Sequence, residues 1–191
     1  MRINILDATK MYTHKLEDKL QLVNEIAKDV SDFKKIEIDI QTCQDIDLSE
    51  FEVYNVIYLF KLTNLTKEFD DCNFCKEISA IKKKTKYKLP QVNEINTNKN
   101  NDVLYIGKSS GLFSTRLRNH FSSNSLKTYS LQLPQLAKQK KLQHLKMEMF
   151  YSQIDFVKHG ITDHDLKKEL LEMLESSLHL QHKPLLGRSG H

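Results

Sequence analysis

The sequence predicts an α+β fold in which a small three-stranded antiparallel sheet is flanked by helices. Three apolar runs with the residue types of strands lie at 53–62, 103–106 and 146–157, and helical segments separate and follow them. This order of elements is typical of layered α+β proteins. At 191 residues the chain is long enough for one domain with an extension.

The N-terminal part of the chain predicts a helical extension over residues 1–50. Residues 14–34 carry apolar side chains at the spacing of an amphipathic helix. Residues 36–40 alternate apolar and acidic side chains as a short strand does, and an acidic linker follows at 43–51. We therefore place the main domain at residues 51–191, beginning just before the strand at 53–62.

The rest of the chain alternates between helices, loops and strands. We predict helices at 66–87, 114–121 and 132–143, with polar loops at 90–102 and 122–130. The last helix has clear ends, because Thr162 can cap it and Asp163 and Asp165 suit the dipole of its first turn. Pro184 stops this helix shortly after Gln181.

The composition is that of a globular protein without membrane segments. The chain is 39% hydrophobic and 28% charged, and no stretch approaches the roughly 18 consecutive apolar residues of a membrane helix. The first residues are too few and too polar for a signal peptide. We therefore expect a cytoplasmic location.

The three cysteines are too few for a disulfide framework. Cys72 and Cys75 form a CxxC pattern, for which a redox pair and half of a zinc site are the functional alternatives. A zinc site needs two more ligands, and no second Cys or His pair stands at matching spacing. We therefore favour two reduced thiols on one turn of helix.

Positive charge is concentrated in one segment of the chain. Residues 103–150 contain eight Lys or Arg residues and a single acid, Glu148, whereas the segments before and after are slightly acidic. A one-sided basic segment is the electrostatic signature of a protein that binds a polyanion. For the lysines at 138–141 taken alone, a solvated surface is the simpler interpretation.

Two features point to phosphate chemistry. Residues 103–121 run from an apolar strand through a Gly-containing basic turn into a helix that carries Arg116, Arg118 and His120, a pattern suited to holding a phosphate. On the last helix, Glu175 lies at the edge of a leucine stripe, where a carboxylate can reach a cleft. Helical periodicity alone favours a surface glutamate at this position.

In combination these residues resemble the GIY-YIG nuclease family. Tyr105-Ile106-Gly107 matches the second strand motif, Arg116 begins an Arg-Leu-x-x-His-Phe segment, and Glu175 precedes Pro184 by the family's nine residues. The resemblance runs from Val53 to Gly187.

The chain departs from the family pattern at three points. Val56-Ile57-Tyr58 replaces Gly-Ile-Tyr, although the tyrosine is kept. Gly187 stands where the family has an asparagine, so that support for the site must come from elsewhere, with Arg188 or Ser189 as candidates. The spacer between the two tyrosine strands is long for the family, which identifies 64–101 as an insertion.

The resemblance implies a metal-dependent DNA endonuclease. Glu175 would bind one divalent cation, Mg²⁺ or Mn²⁺, and Arg116 would clamp the scissile phosphate. Tyr58 would act as general base or orient the attacking water, with Lys108 lowering its pKa. The implied catalytic set is Tyr58, Tyr105, Lys108, Arg116, His120 and Glu175, and the implied nucleic-acid contacts are Gly107, Arg118, Lys127 and Arg188.

The implied partner is double-stranded DNA, and the small size resembles restriction-type members of the family. Cutting two strands with one site per chain suggests a homodimer or sequential nicking, and a neighbouring methyltransferase gene would fit restriction. Sequence recognition would come from the insertion at 64–101 and the N-terminal helix. The alternatives are an inactive nucleic-acid-binding module on this fold, a repair or mobile-element nuclease, and a structural or partner-binding protein.

Overall fold

The computed structural model describes residues 5–30, 32–66, 70–86, 88–97, 101–122 and 129–187. The helices and strands follow in the order α1 (Ile5–Asp29), β1 (Lys34–Asp39), β2 (Val56–Leu62), α2 (Asp71–Lys84), β3 (Val103–Ser109), α3 (Phe113–Phe121), α4 (Leu133–Ala137), β4 (Lys146–Gln153) and α5 (His164–His182). Short 3₁₀ turns lie at Cys43–Asp45, Ser49–Phe51 and Glu94–Asn96. The predicted α+β class is therefore confirmed.

The sheet has four antiparallel strands in the order β1-β4-β2-β3, and the prediction of three strands was wrong. The additional strand is β1, whose alternation predicted a strand but did not reveal its partner. It pairs with β4 along its whole length, from Lys34 opposite Tyr151 to Asp39 opposite Lys146. The N-terminal segment thus contributes an edge strand to the sheet as well as a helix.

The opposite edge of the sheet, at β3, is covered by the segment that follows α5. The amide of Leu185 donates to the carbonyl of Val103 at 2.9 Å, and that of Leu186 donates to Leu104 at 2.8 Å. These bonds satisfy polar groups that a bare edge strand would expose. They also fix the C-terminal segment next to the strand that carries Tyr105.

Both faces of the sheet are packed. One face and its covering segments form the larger core, which includes Tyr58, Phe60 and Phe113. On the other face, Ile57 packs with α1 and α5 in a second core, which includes Ile26 and Leu170. The alternation along β2 therefore sends Tyr58 to one side of the sheet and its neighbour Ile57 to the other.

Several helix ends differ from their predicted positions for local reasons. The last helix is capped by Asp163 rather than Thr162, because the Asp163 carboxylate accepts the amide of Leu166 at 2.7 Å. Residues 132–143 form only the short helix α4, which begins after Gln132 in a left-handed conformation. None of the helices in the described ranges is both long and apolar enough to cross a membrane.

Candidate active site

Two tyrosines and one arginine meet on the face of the sheet that packs under α3. Tyr58 on β2 lies opposite Gly107 on β3, and Tyr105 lies two residues earlier on the same strand. Arg116 on α3 donates from Nε to the Tyr58 hydroxyl at 2.9 Å and from Nη2 to the Tyr105 hydroxyl at 3.0 Å. A single guanidinium therefore bridges both phenol oxygens.

Gly107 makes this close approach possible. A Cβ atom at this position would lie 2.5 Å from the Tyr58 hydroxyl oxygen and 2.8 Å from Cε1 of Tyr105. Any side chain would therefore push the rings off the arginine. Gly107 is buried, and its contacts are with the two tyrosine rings; its predicted contact with nucleic acid stays a prediction.

His120 is fully buried and completes the hydrogen bonding of Tyr58. The backbone amide of Leu131 donates to its Nδ1 at 3.0 Å, so Nδ1 carries no proton. Nε2 then bears the proton of the neutral ring and donates to the Tyr58 hydroxyl at 3.0 Å. Burial favours this neutral form, because it lowers the pKa of His120 well below its ordinary value of 6.5.

The Tyr58 oxygen consequently accepts two hydrogen bonds, one from Arg116 and one from His120. The Tyr105 hydroxyl accepts from the same guanidinium at 3.0 Å. Burial raises the pKa of Tyr58 and of Tyr105, while the positive charge of Arg116 opposes that shift at both. The cation in contact with Tyr58 is thus Arg116, whereas the sequence had suggested Lys108.

Lys108 instead faces the acids of α5. Its Nζ lies 2.9 Å from Oε2 of Glu172 and 3.5 Å from Oε2 of Glu175. Glu175 is buried, and the surface position that periodicity favours for it is wrong, because this part of α5 packs against β3. Burial raises the pKa of Glu175, and Lys108 opposes the shift.

Glu175 belongs to the same electrostatic environment as the tyrosines. Its charge raises the pKa of Tyr58 and Tyr105, and the charge of Arg116 lowers the pKa of Glu175. The structure therefore brings Tyr58, Tyr105, Arg116 and His120 into one hydrogen-bonded cluster and places the Lys108–Glu175 pair beside it.

The remaining predicted contacts lie elsewhere. Arg118 is exposed on α3 and lines a shallow cavity with Cys43 and Phe121, apart from the tyrosine cluster. Lys127 and Arg188 fall outside the described residues.

The donor set around Glu175 fits one type of metal ion. Within the described ranges, no three His, Cys, Asp or Glu side chains are grouped closely enough to enclose a metal. Mg²⁺ does not need such an enclosure, because it commonly binds one or two carboxylates and takes its other ligands from water and substrate phosphate. A single buried carboxylate beside the cluster of Tyr58, Tyr105 and Arg116 suits this mode.

Sequence reasoning missed the support that the insertion gives to the segment after α5. Asn93 donates from Nδ2 to the carbonyls of Pro184 and Gly187, at 2.9 Å each. Asn101 donates to the carbonyl of Lys183 at 2.6 Å, and Asn96 adds a second bond to Pro184 at 2.9 Å. Amides from the insertion thus hold the segment in which the family asparagine is replaced by Gly187.

A second group missed from the sequence lies in the loop before α4. The carbonyl of Tyr129 accepts a hydrogen bond from Nη2 of Arg116 at 3.1 Å, and the Leu131 amide binds His120 as described above. Both contacts use backbone atoms, so the side-chain pattern gave no signal for them. The loop therefore fixes the two α3 side chains that bind Tyr58.

The space at Gly107 gives a prediction for stability. We expect Gly107→Ala to lower the free energy of unfolding by about 1–3 kcal/mol, because the new methyl group overlaps the Tyr58 hydroxyl. Gly111→Ala is the matched control, since a Cβ at Gly111 meets nothing within 4 Å, and it should stay within about 1 kcal/mol of wild type. Urea unfolding measures both, and equal effects would contradict the packing role of Gly107.

The buried neutral His120 gives a prediction for pH. Below pH 6.5 the unfolded chain binds a proton at this histidine, while the lowered pKa keeps the folded one neutral. Stability should therefore fall as the pH drops from 6.5 towards the folded pKa, by up to about 1.4 kcal/mol per pH unit for one group. His120→Gln removes this titrating group, so the unfolding free energy of the variant should fall less steeply with decreasing pH than that of the wild type, by up to the same slope. If the unfolding free energies of the two proteins depend on pH in the same way, His120 is not buried in its neutral form.

Comparison with known proteins agrees with the resemblance drawn from the sequence. Residues 95–173 match the family model described as the GIY-YIG catalytic domain, whereas no curated protein and no solved structure matches the chain. The match begins after β2 and ends two residues before Glu175, so it contains neither Tyr58 nor Glu175. Such a domain implies nuclease activity on DNA, and nucleases of this type generally depend on a divalent metal. The match over residues 95–173 supports the resemblance of this chain to the GIY-YIG nuclease family.

Proposed function

We propose that this protein is a Mg²⁺-dependent (or Mn²⁺-dependent) endonuclease that hydrolyses phosphodiester bonds in double-stranded DNA. The observation that carries the proposal is the bridging position of Arg116 between the hydroxyls of Tyr58 and Tyr105, beside the buried carboxylate of Glu175. This arrangement supplies a cation for the phosphate, an oxygen for the attacking water and a ligand for a metal.

Arg116 is the phosphate-binding group of this scheme. Its hydrogen bonds within the described ranges use Nε and Nη2 and go to neutral oxygens of Tyr58, Tyr105 and Tyr129. The guanidinium therefore keeps its net positive charge, which a non-bridging phosphate oxygen can meet. A planar donor group of this kind suits the charge that develops on phosphate oxygens in the transition state.

Tyr58 is the group that handles the attacking water. Hydrogen bonds from Arg116 and His120 hold the Tyr58 hydroxyl in place, and burial raises the pKa of Tyr58 although the charge of Arg116 opposes the shift. The hydroxyl orients the water whose oxygen attacks phosphorus, the bond to the 3′ oxygen breaks, and the proton that the water loses passes through solvent to that leaving oxygen. Tyr105 binds the same guanidinium and so helps to fix the arginine beside the Tyr58 oxygen.

Glu175 is the residue that would hold the metal. A Mg²⁺ or Mn²⁺ ion held there would supply positive charge to the scissile phosphate. Lys108 opposes the rise that burial causes in the pKa of Glu175, while its shorter contact goes to Glu172.

Restriction is the biological role we favour for such an endonuclease. One such site per chain cuts one strand, so that cleavage of both strands requires a homodimer or two successive nicks. A methyltransferase encoded nearby and a cytoplasmic location would fit this role.

Replacement of Glu175 tests the proposal directly. Glu175→Gln keeps the shape of the side chain and removes its charge, so we expect cleavage of supercoiled plasmid with Mg²⁺ to fall by about 10³-fold or more. Binding of a labelled duplex should persist, because the substitution removes a negative charge near the phosphate site.

Glu169→Gln on the same helix is the control for this experiment. Glu169 is exposed and pairs with Lys19 on α1, away from the tyrosine cluster, so its replacement should leave cleavage unchanged. If the wild-type protein binds DNA but cuts none with Mg²⁺ or Mn²⁺, the protein is instead a binding module on a nuclease fold.

A further inference from the structure

Tyr129 has an exposed aromatic side chain, and its backbone is hydrogen-bonded to Arg116 of the candidate active site. Its side chain is 60% exposed, while its carbonyl accepts a hydrogen bond from Nη2 of Arg116 at 3.1 Å. A single exposed ring is common on protein surfaces and carries no meaning by itself. Here, however, the residue that carries the ring is hydrogen-bonded directly to Arg116, the proposed phosphate-binding group.

Lys88 lies over this ring and comes from the insertion. Its Nζ is 5.8 Å from the ring centroid of Tyr129, and its carbonyl accepts the amide of Ser130 at 3.3 Å. The backbone bond fixes the end of the insertion against the loop before α4. Ring and ammonium group therefore form a pair whose position relative to Arg116 is set by hydrogen bonds on both sides.

The chemistry of this pair matches a nucleotide better than a peptide. An exposed ring face offers a surface for a base or sugar, and an adjacent ammonium group offers a partner for a phosphate. Tyr129 also belongs to the basic segment 103–150, in which Glu148 is the only acid, so the charge of this segment favours a polyanion.

The hydrogen bond between Arg116 and Tyr129 places the pair where a nucleotide next to the one being cut would lie. Successive nucleotides of a strand in duplex DNA rise by about 3.4 Å, so the neighbour of a phosphate on Arg116 lies within reach of a residue bonded to that arginine. We propose that Tyr129 and Lys88 bind the nucleotide flanking the scissile phosphate, with the ring against its base or sugar and the lysine on the adjoining phosphate. This inference rests on the proposed function and gives the insertion a role in substrate binding.

The ring is tested by Tyr129→Ala and Tyr129→Phe, both made in the non-cleaving Glu175→Gln protein. Neither change removes the carbonyl that binds Arg116. We expect the alanine variant to bind a fluorescein-labelled duplex about 5-fold to 100-fold more weakly, and the phenylalanine variant to bind nearly as well as the parent. Tyr12→Ala, at a 69% exposed tyrosine on α1, is the control and should bind as the parent does.

The lysine is tested by the salt dependence of binding. Lys88→Ala should reduce the slope of log K against log salt concentration by about one, because one phosphate contact is lost. Lys140→Ala replaces an exposed lysine of the 138–141 run and should leave the slope unchanged. In the protein with Glu175 intact, Tyr129→Ala should raise KM while kcat at saturating DNA changes little, since the catalytic groups remain in place.

The outcomes separate this inference from the proposed function. If the wild-type protein cuts DNA but Tyr129→Ala and Lys88→Ala bind as tightly and with the same salt slope as the parent, only this inference is overturned. It is also overturned if Tyr129→Phe weakens binding as much as Tyr129→Ala, because the ring face would then not be the contact. If the wild-type protein neither binds nor cuts DNA, both are overturned.

Discussion

The candidate active site is arranged around one charged group, the guanidinium of Arg116. Arg116 is half-buried, and within the described ranges its hydrogen bonds go only to neutral oxygens. Taking a charge out of water is costly unless it is paired, so this position favours the arrival of an anion. Other features follow from the need to hold that group: Gly107 makes room for the tyrosine hydroxyls, and the loop before α4 binds the arginine from the other side. These contacts hold a positively charged group in place, as the proposed phosphate site requires.

The second determinant of the site is the packing of α5 against β3. This contact buries Glu175 near the tyrosine cluster and sets Lys108 between two carboxylates. The segment after α5 continues along the edge of β3, where asparagines of the insertion hold its carbonyls. The asparagines at 93–101, the edge segment and α5 thus form one continuous support around Gly187.

The parts of the structure that sequence could predict are those determined by local pattern. The strand and helix around Tyr105 and Arg116 follow from apolar runs and a turn, and the family resemblance added their roles. Pairings between distant segments were not predictable in this way. Alternation indicated a strand at 36–40 but not its place beside β4, and periodicity put Glu175 on the surface because it contains no information about what α5 packs against. Backbone contacts, such as the Leu131 amide on His120, leave no trace in side-chain pattern.

The central claim is that Arg116, Tyr58 and Glu175 act on one phosphate. A crystal structure of the protein with a short DNA duplex and Mn²⁺, using the anomalous signal of the metal, tests it most directly. The account predicts Mn²⁺ bound to the Glu175 carboxylate and to an oxygen of a phosphate that Arg116 also binds, with the Tyr58 hydroxyl facing the metal-bound side of that phosphate. A metal ion on other acids, or a DNA backbone bound away from Arg116, would contradict it.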